Sequence, residues 1–217
     1  MALQKKTGER PEDAVILTEH EAVKYHSRIL HTWDNVWDTF AYKYGCFLLG
    51  GATVMSSMYI NNYFRMKFKV LHYGRMSSYI PICLIPGTLV FILHQQLVLK
   101  ELILLNQETC PICIELRASV VQGTLGCLLP LTLAPASAIS LAHSYGTYNV
   151  PYILKQPLEV WKVIQKQIKP ARNTLLVIFG IHAVLASVVT YFEAGSVYKV
   201  NHKLMELEQQ LERDGKI

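Results

Sequence analysis

The chain has 217 residues, 51% of them hydrophobic and only 17% charged, with a formal net charge of +5 and a mean hydropathy of +0.23. That balance suits a small polytopic membrane protein and excludes a sizeable soluble domain. It gives no reason to expect a nucleic-acid partner or a cofactor.

Residues 1–43 read as a polar arm followed by an amphipathic helix. Gln4–Asp13 is polar, and Thr18 with Glu21 forms a capping-box signature. Ala22, His26, Ile29, Trp33, Val36, Trp37 and Phe40 then recur at helical spacing as one apolar-aromatic stripe. Two tryptophans ahead of an apolar segment suit an interfacial helix, for anchoring or for docking a partner. The arm does not read as a signal peptide, because no apolar run follows its first basic residues. Its acidic residues also make it a poor mitochondrial presequence.

Residues 44–192 hold four stretches without Asp, Glu, Lys or Arg: Tyr44–Phe64, Met76–Leu99, Ala118 to about Gly146, and Asn173–Phe192. About 20 apolar helical residues cross a hydrocarbon core of about 30 Å. The expected fold is therefore an all-α membrane protein with four transmembrane helices. The loop Arg65–Arg75 carries four basic residues and no acid, and His143–Arg172 carries five against Glu159 alone. By the positive-inside rule these two loops face the cytoplasm or the mitochondrial matrix, with both termini opposite.

The second of these loops contains the clearest amphipathic segment. Pro157, Trp161, Ile164 and Ile168 share one face, and Lys155, Lys162, Lys166 and Lys169 share the other. A helix in the membrane plane, lysines towards anionic headgroups or a partner, fits this pattern. Pro170 ends it. In the tail, 193–217, Val197, Val200, Leu204, Leu207 and Leu211 step by threes and fours, a helical stripe that calls for a neighbour.

Three groups could carry chemistry. Cys110-Pro-Ile-Cys113, between the second and third spans, could close a small disulfide or exchange thiols with a partner. Its surroundings, through Glu115 and Arg117, resemble the bacterial quinone-dependent thiol oxidases, but no second loop cysteine pair follows to relay electrons. A structural staple or idle thiols are the alternatives, and two local ligands are too few for zinc. Cys46, Cys83 and Cys127 fall inside spans and read as apolar filler. His94 and His182 are also intramembrane. Their registers differ by about 7–8 Å of helix rise, so hydrogen bonding between helices fits better than a shared haem. Finally, Gly123, Gly126, Pro130, Ala134, Pro135, Ala138 and Ala142 make the third span a close-packing, proline-kinked helix.

Several short pieces resemble the transmembrane protein 126 family. They are Asn62-Tyr63-Phe64-Arg65, Pro81 with Ile85-Pro86, Glu108-Thr109-Cys110 with Arg117, the Gly126, Pro130 and Pro135 pattern, and Gly195-Ser196 with Tyr198-Lys199. They run in order from about Gly45 to Lys203. The resemblance implies a multi-pass protein of the mitochondrial inner membrane that assists assembly of respiratory complex I without catalysing a reaction; in that membrane the charge bias puts the termini in the intermembrane space. It implies as partners the membrane-arm subunits of complex I and other assembly factors, with cardiolipin as a possible lipid contact. The family does not reliably carry a second cysteine at the position of Cys113, which weighs against a shared redox role. A membrane thiol-disulfide oxidoreductase using Cys110 and Cys113 is the alternative.

Overall fold

The computed structural model describes residues 17–104, 110–148 and 156–214, and every regular element among them is helical. The helices are α1 (Glu19–Thr32), α2 (Val36–Lys67), α3 (Arg75–Ile103), α4 (Pro111–Tyr145), α5 (Pro157–Ile168) and α6 (Arg172–Arg213). Among the described residues, three helical runs are long and apolar enough to cross a membrane: α3, α4, and the run Pro157–Arg213 that contains α6. The expected first span lies in α2, which has the length but not the average apolarity. Ser56, Ser57, Asn61 and Asn62 dilute it. The burial pattern explains the dilution: Thr53, Ser57 and Asn61 are buried, while Phe47, Leu48, Met55, Met58 and Tyr59 face outward.

α1 starts where the capping box places it. The Thr18 hydroxyl accepts from the Glu21 amide at 3.4 Å, and the Thr18 amide donates to the Glu21 carboxylate at 2.9 Å. The Thr18 amide, and the Thr18 hydroxyl donating to the same carboxylate at 2.7 Å, hold the Glu21 carboxyl below its ordinary range. The expected single stripe from Ala22 to Phe40 is broken, however. α1 stops at Thr32, Trp33 is extended, and α2 restarts after Asn35, whose side chain accepts from the Trp37 amide at 3.2 Å. Asp34-Asn35 offers the backbone side-chain partners that compete with a continuous helix. Ala22, His26 and Leu30 turn inward on α1, whereas Val36, Trp37 and Phe40 are exposed on α2.

The chain divides into two compact units. The first comprises residues 1–46, 93–118 and 187–217. Here α1 lies against residues 100–103, with Lys100 and Glu19 3.5 Å apart, and Lys203 pairs with Asp38. That bond, from the C-terminal part of α6 to the start of α2, holds the Asp38 carboxyl below its ordinary value. Val197 and Val200 of the tail are buried, but Leu207 and Leu211 are exposed, so the expected leucine stripe outruns its own fold.

The second unit comprises residues 47–92 and 119–186. Phe64 and Phe68 stack with ring centroids 6.5 Å apart, in a core with Ile82, Ala134, Ala138 and Leu175. The turn between α2 and α3 puts Lys69 and Leu71 at positive φ, 55° and 45°, an unfavourable setting for side-chain-bearing residues. Buried Arg65 holds that turn. Its guanidinium donates to the Leu71 and Tyr73 carbonyls at 2.6 and 2.7 Å and to the Ser78 hydroxyl at 2.6 Å. Arg65 therefore serves the loop rather than the headgroups.

α5 packs on this core through Val160, Val163, Ile164 and Ile168. The buried arc is offset from the face shared by Pro157, Trp161, Ile164 and Ile168. Trp161 sits at the edge of the inward arc and is 55% exposed, and Pro157 is exposed in the first turn. α5 then runs through a 3-10 turn, Lys169–Ala171, into α6.

Candidate functional site

α4 is the internal packing helix of the second unit. Pro130, Ala134, Pro135, Ala138 and Ala142 are all buried. Gly123 and Gly126 complete the face. A Cβ at Gly123 would lie 2.7 Å from the Phe179 ring, and one at Gly126 would lie 2.7 Å from His182 Nδ1. A π-turn, Thr124–Leu128, precedes Pro130, which has no amide proton to give the Gly126 carbonyl four residues back. Ser56 of α2 supplies a donor to that carbonyl at 2.7 Å. Ser119 donates in the same manner to the Ala183 carbonyl at 2.9 Å.

Gln122 ties three helices within this unit. Its amide nitrogen lies 3.1 Å from the Leu49 carbonyl, 3.1 Å from the Thr53 hydroxyl and 3.0 Å from His182 Nδ1. His182 therefore bonds between helices, as its span position suggested. Gln122 escaped the sequence reading, although one amide side chain in a charge-free span is a signal of a buried partner.

His94 also bonds between helices, to a group the sequence reading assigned to the charged tail. His94 Nε2 lies 2.8 Å from Glu193 Oε2, in the first unit. Glu193 does not leave the fold where the charge-free segment ends, because α6 continues unbroken to Arg213. The buried residues Val189, Glu193, Val197 and Val200 form one helical stripe, and that spacing is the signal that could have found Glu193. Cys46, read as apolar filler, stands in the same cluster, its thiol within 4.8 Å of the His94 and Glu193 ligand atoms.

Cys110 and Cys113 are exposed thiols at the first turn of α4. The Cys113 amide donates to the Cys110 carbonyl at 3.0 Å, and the amide and thiol of Cys113 and the Ile112 amide, all near the Cys110 sulfur, hold its pKa below that of a free cysteine. Arg117 donates to the Leu97 carbonyl at 3.1 Å and lies 3.8 Å from Glu101, and Glu115 accepts from Ser187 at 2.9 Å. The charged residues after the cysteine pair thus fasten this turn to its neighbours.

Of the α5 lysines, Lys162, Lys166 and Lys169 are exposed, with Lys162 2.9 Å from Glu159. Lys155 lies outside the described residues.

The fold and these contacts define a helical membrane protein whose buried polar side chains knit its helices together. The chain belongs to the transmembrane protein 126 family, whose model matches residues 22–210. It is similar to Transmembrane protein 126 of Drosophila melanogaster, with 33% identity over 218 residues, covering 99% of this chain and 96% of that protein. No solved structure matches it.

Proposed function

We propose that this protein is a non-enzymatic scaffold of the mitochondrial inner membrane that holds hydrophobic membrane-arm intermediates and assembly factors of respiratory complex I. In this reading α2 is a fourth span. Thr53, Ser57 and Asn61 are turned inward while Phe47, Leu48, Met55, Met58 and Tyr59 face outward, so average hydropathy understates its fit to lipid. The termini occupy the intermembrane space, and the basic loops, with α5, face the matrix.

The observation that carries the reading is how α6 divides its surface. Leu176, Val177, Ile181, Val184, Val188 and Tyr191 are exposed along one helical face, while α4 spends its small residues on internal packing. An outward α6 face can cover an incomplete partner without dismantling the scaffold. In this reading the partner surface lies on the outward face of α6, while α4 keeps to internal packing. The exposed Lys162, Lys166 and Lys169 can meet matrix factors or anionic lipid such as cardiolipin, with Trp161 at headgroup depth.

Cells lacking the protein should accumulate complex I subassemblies on native gels. Normal complex I in such cells refutes the proposal. The second reading, thiol-disulfide exchange, is favoured by one feature, the stabilised Cys110 thiolate at a helix start. It requires that Cys110→Ser with Cys113→Ser fail to rescue the knockout. The scaffold reading requires rescue.

A further inference from the structure

We propose that Cys46, His94 and Glu193 form a zinc-binding site in the first unit. Their candidate ligand atoms all lie within 4.8 Å of one another. The three side chains come from α2, α3 and α6, and they are 3%, 1% and 0% exposed. Thiolate sulfur, imidazole nitrogen and carboxylate oxygen are the donors that zinc takes, whereas calcium and magnesium want oxygen throughout.

Two further observations point to an occupant. Glu193 Oε2 faces His94 at 2.8 Å, but Oε1, equally buried, has no hydrogen-bond partner. A buried carboxylate oxygen left unmatched is unfavourable, and a cation removes that cost. Space is also kept for the carboxylate. A Cβ on Gly45, beside Cys46, would come within 2.2 Å of Glu193 Oε1 and 2.9 Å of Val189 Cγ1. His94 itself immediately precedes a π-turn, Gln95–Leu99, a distortion frequent at functional sites.

The charges and distances suit zinc. A thiolate and a carboxylate cancel the 2+ ion, giving a neutral complex where low dielectric makes net charge costly. Binding releases the Cys46 thiol proton, together with any proton shared by His94 and Glu193. Zinc bonds of about 2.0–2.3 Å in tetrahedral array set ligand atoms roughly 3.3–3.8 Å apart. Reaching that from the present separations needs side-chain shifts of about 1 Å or less. Three protein ligands leave a fourth position for water or another donor. The site stands apart from complex I assembly, and its test needs none.

The full chain, purified in mild detergent, should carry about one zinc per chain by elemental analysis. X-ray absorption should find one sulfur ligand at about 2.3 Å among lighter ones. Cobalt exchanged for zinc should give a thiolate-to-cobalt charge-transfer band that disappears in Cys46→Ser, a nearly isosteric change that should not unfold the protein. Glu193→Gln and His94→Asn should each weaken zinc binding by roughly tenfold or more. Folded wild-type protein that retains no zinc and gives no such band with cobalt overturns the proposal. So does a cobalt band that persists unchanged in Cys46→Ser.

Discussion

Gly126→Ala tests whether the α4 face is packed as closely as described. The added Cβ would lie 2.7, 2.8 and 3.1 Å from Nδ1, Cε1 and Cγ of His182, all inside ordinary contact. The ring must move, and Nδ1 is the atom that meets Gln122 at 3.0 Å. Overpacking of this kind costs about 1–3 kcal/mol. An interhelical hydrogen bond in a membrane protein averages about 0.6 kcal/mol. Together they come to about 1.6–3.6 kcal/mol, a rise of roughly 15- to 400-fold in the unfolding constant. Unfolding by denaturing detergent can be followed with a thiol-reactive fluorophore, since Cys83 and Cys127 are buried in the same unit. Gly180→Ala is the control. A Cβ there meets nothing within 4 Å, so its effect should stay within about 0.5 kcal/mol. Adding His182→Ala to Gly126→Ala should cost clearly less than the sum of the single changes. If Gly126→Ala unfolds no more readily than Gly180→Ala, the close approach of α4 to His182 is wrong.

Arg65→Ala strips donors from the part-buried Leu71 and Tyr73 carbonyls and from the Ser78 hydroxyl. It should destabilise the α2–α3 turn by about 3 kcal/mol and expose Lys67 and Lys69 to trypsin, and Arg65→Lys should not restore protection, because one ammonium cannot reproduce the guanidinium fork. Cys110 should be alkylated faster than Cys113 near neutral pH, read by mass spectrometry of the labelled peptide, because amide and thiol donors stabilise its thiolate. The Asp38–Lys203 bond should be insensitive to acidification from pH 7 to 5. A depressed carboxylate pKa contributes stability that is complete above the unfolded value and is lost only as pH falls through the lower, folded one. Lys203→Ala should therefore speed proteolysis of the C-terminal part of α6 equally at pH 7 and pH 5.

The helices were legible because charge-free segments and periodic stripes are strong signals. The α1 start was fixed by Thr18 and Glu21, and the α5 stop by Pro170. What escaped was each place where a local polar pair or a tertiary partner overrode the pattern. Asp34-Asn35 split one stripe into two helices, and the packing arc of α5 moved away from Trp161. Counting charges misplaced two residues. Arg65 was counted simply among the basic residues of a loop although its guanidinium plugs the turn, and Glu193 was counted with the tail although it is buried beside His94. In both cases the sequence gives the charge, while only the fold tells what neutralises or solvates it.

The inward polar face of α2 has a consequence for biogenesis. Thr53 and the Leu49 carbonyl meet Gln122 from 69 and 73 residues away, and Ser56 meets the Gly126 carbonyl 70 residues along. When α2 leaves the ribosome, none of these partners has yet been synthesised. In the proposed four-span arrangement its polar side is sheltered by the insertion machinery or by water until α4 arrives, and α2 settles in the bilayer late although it is translated early.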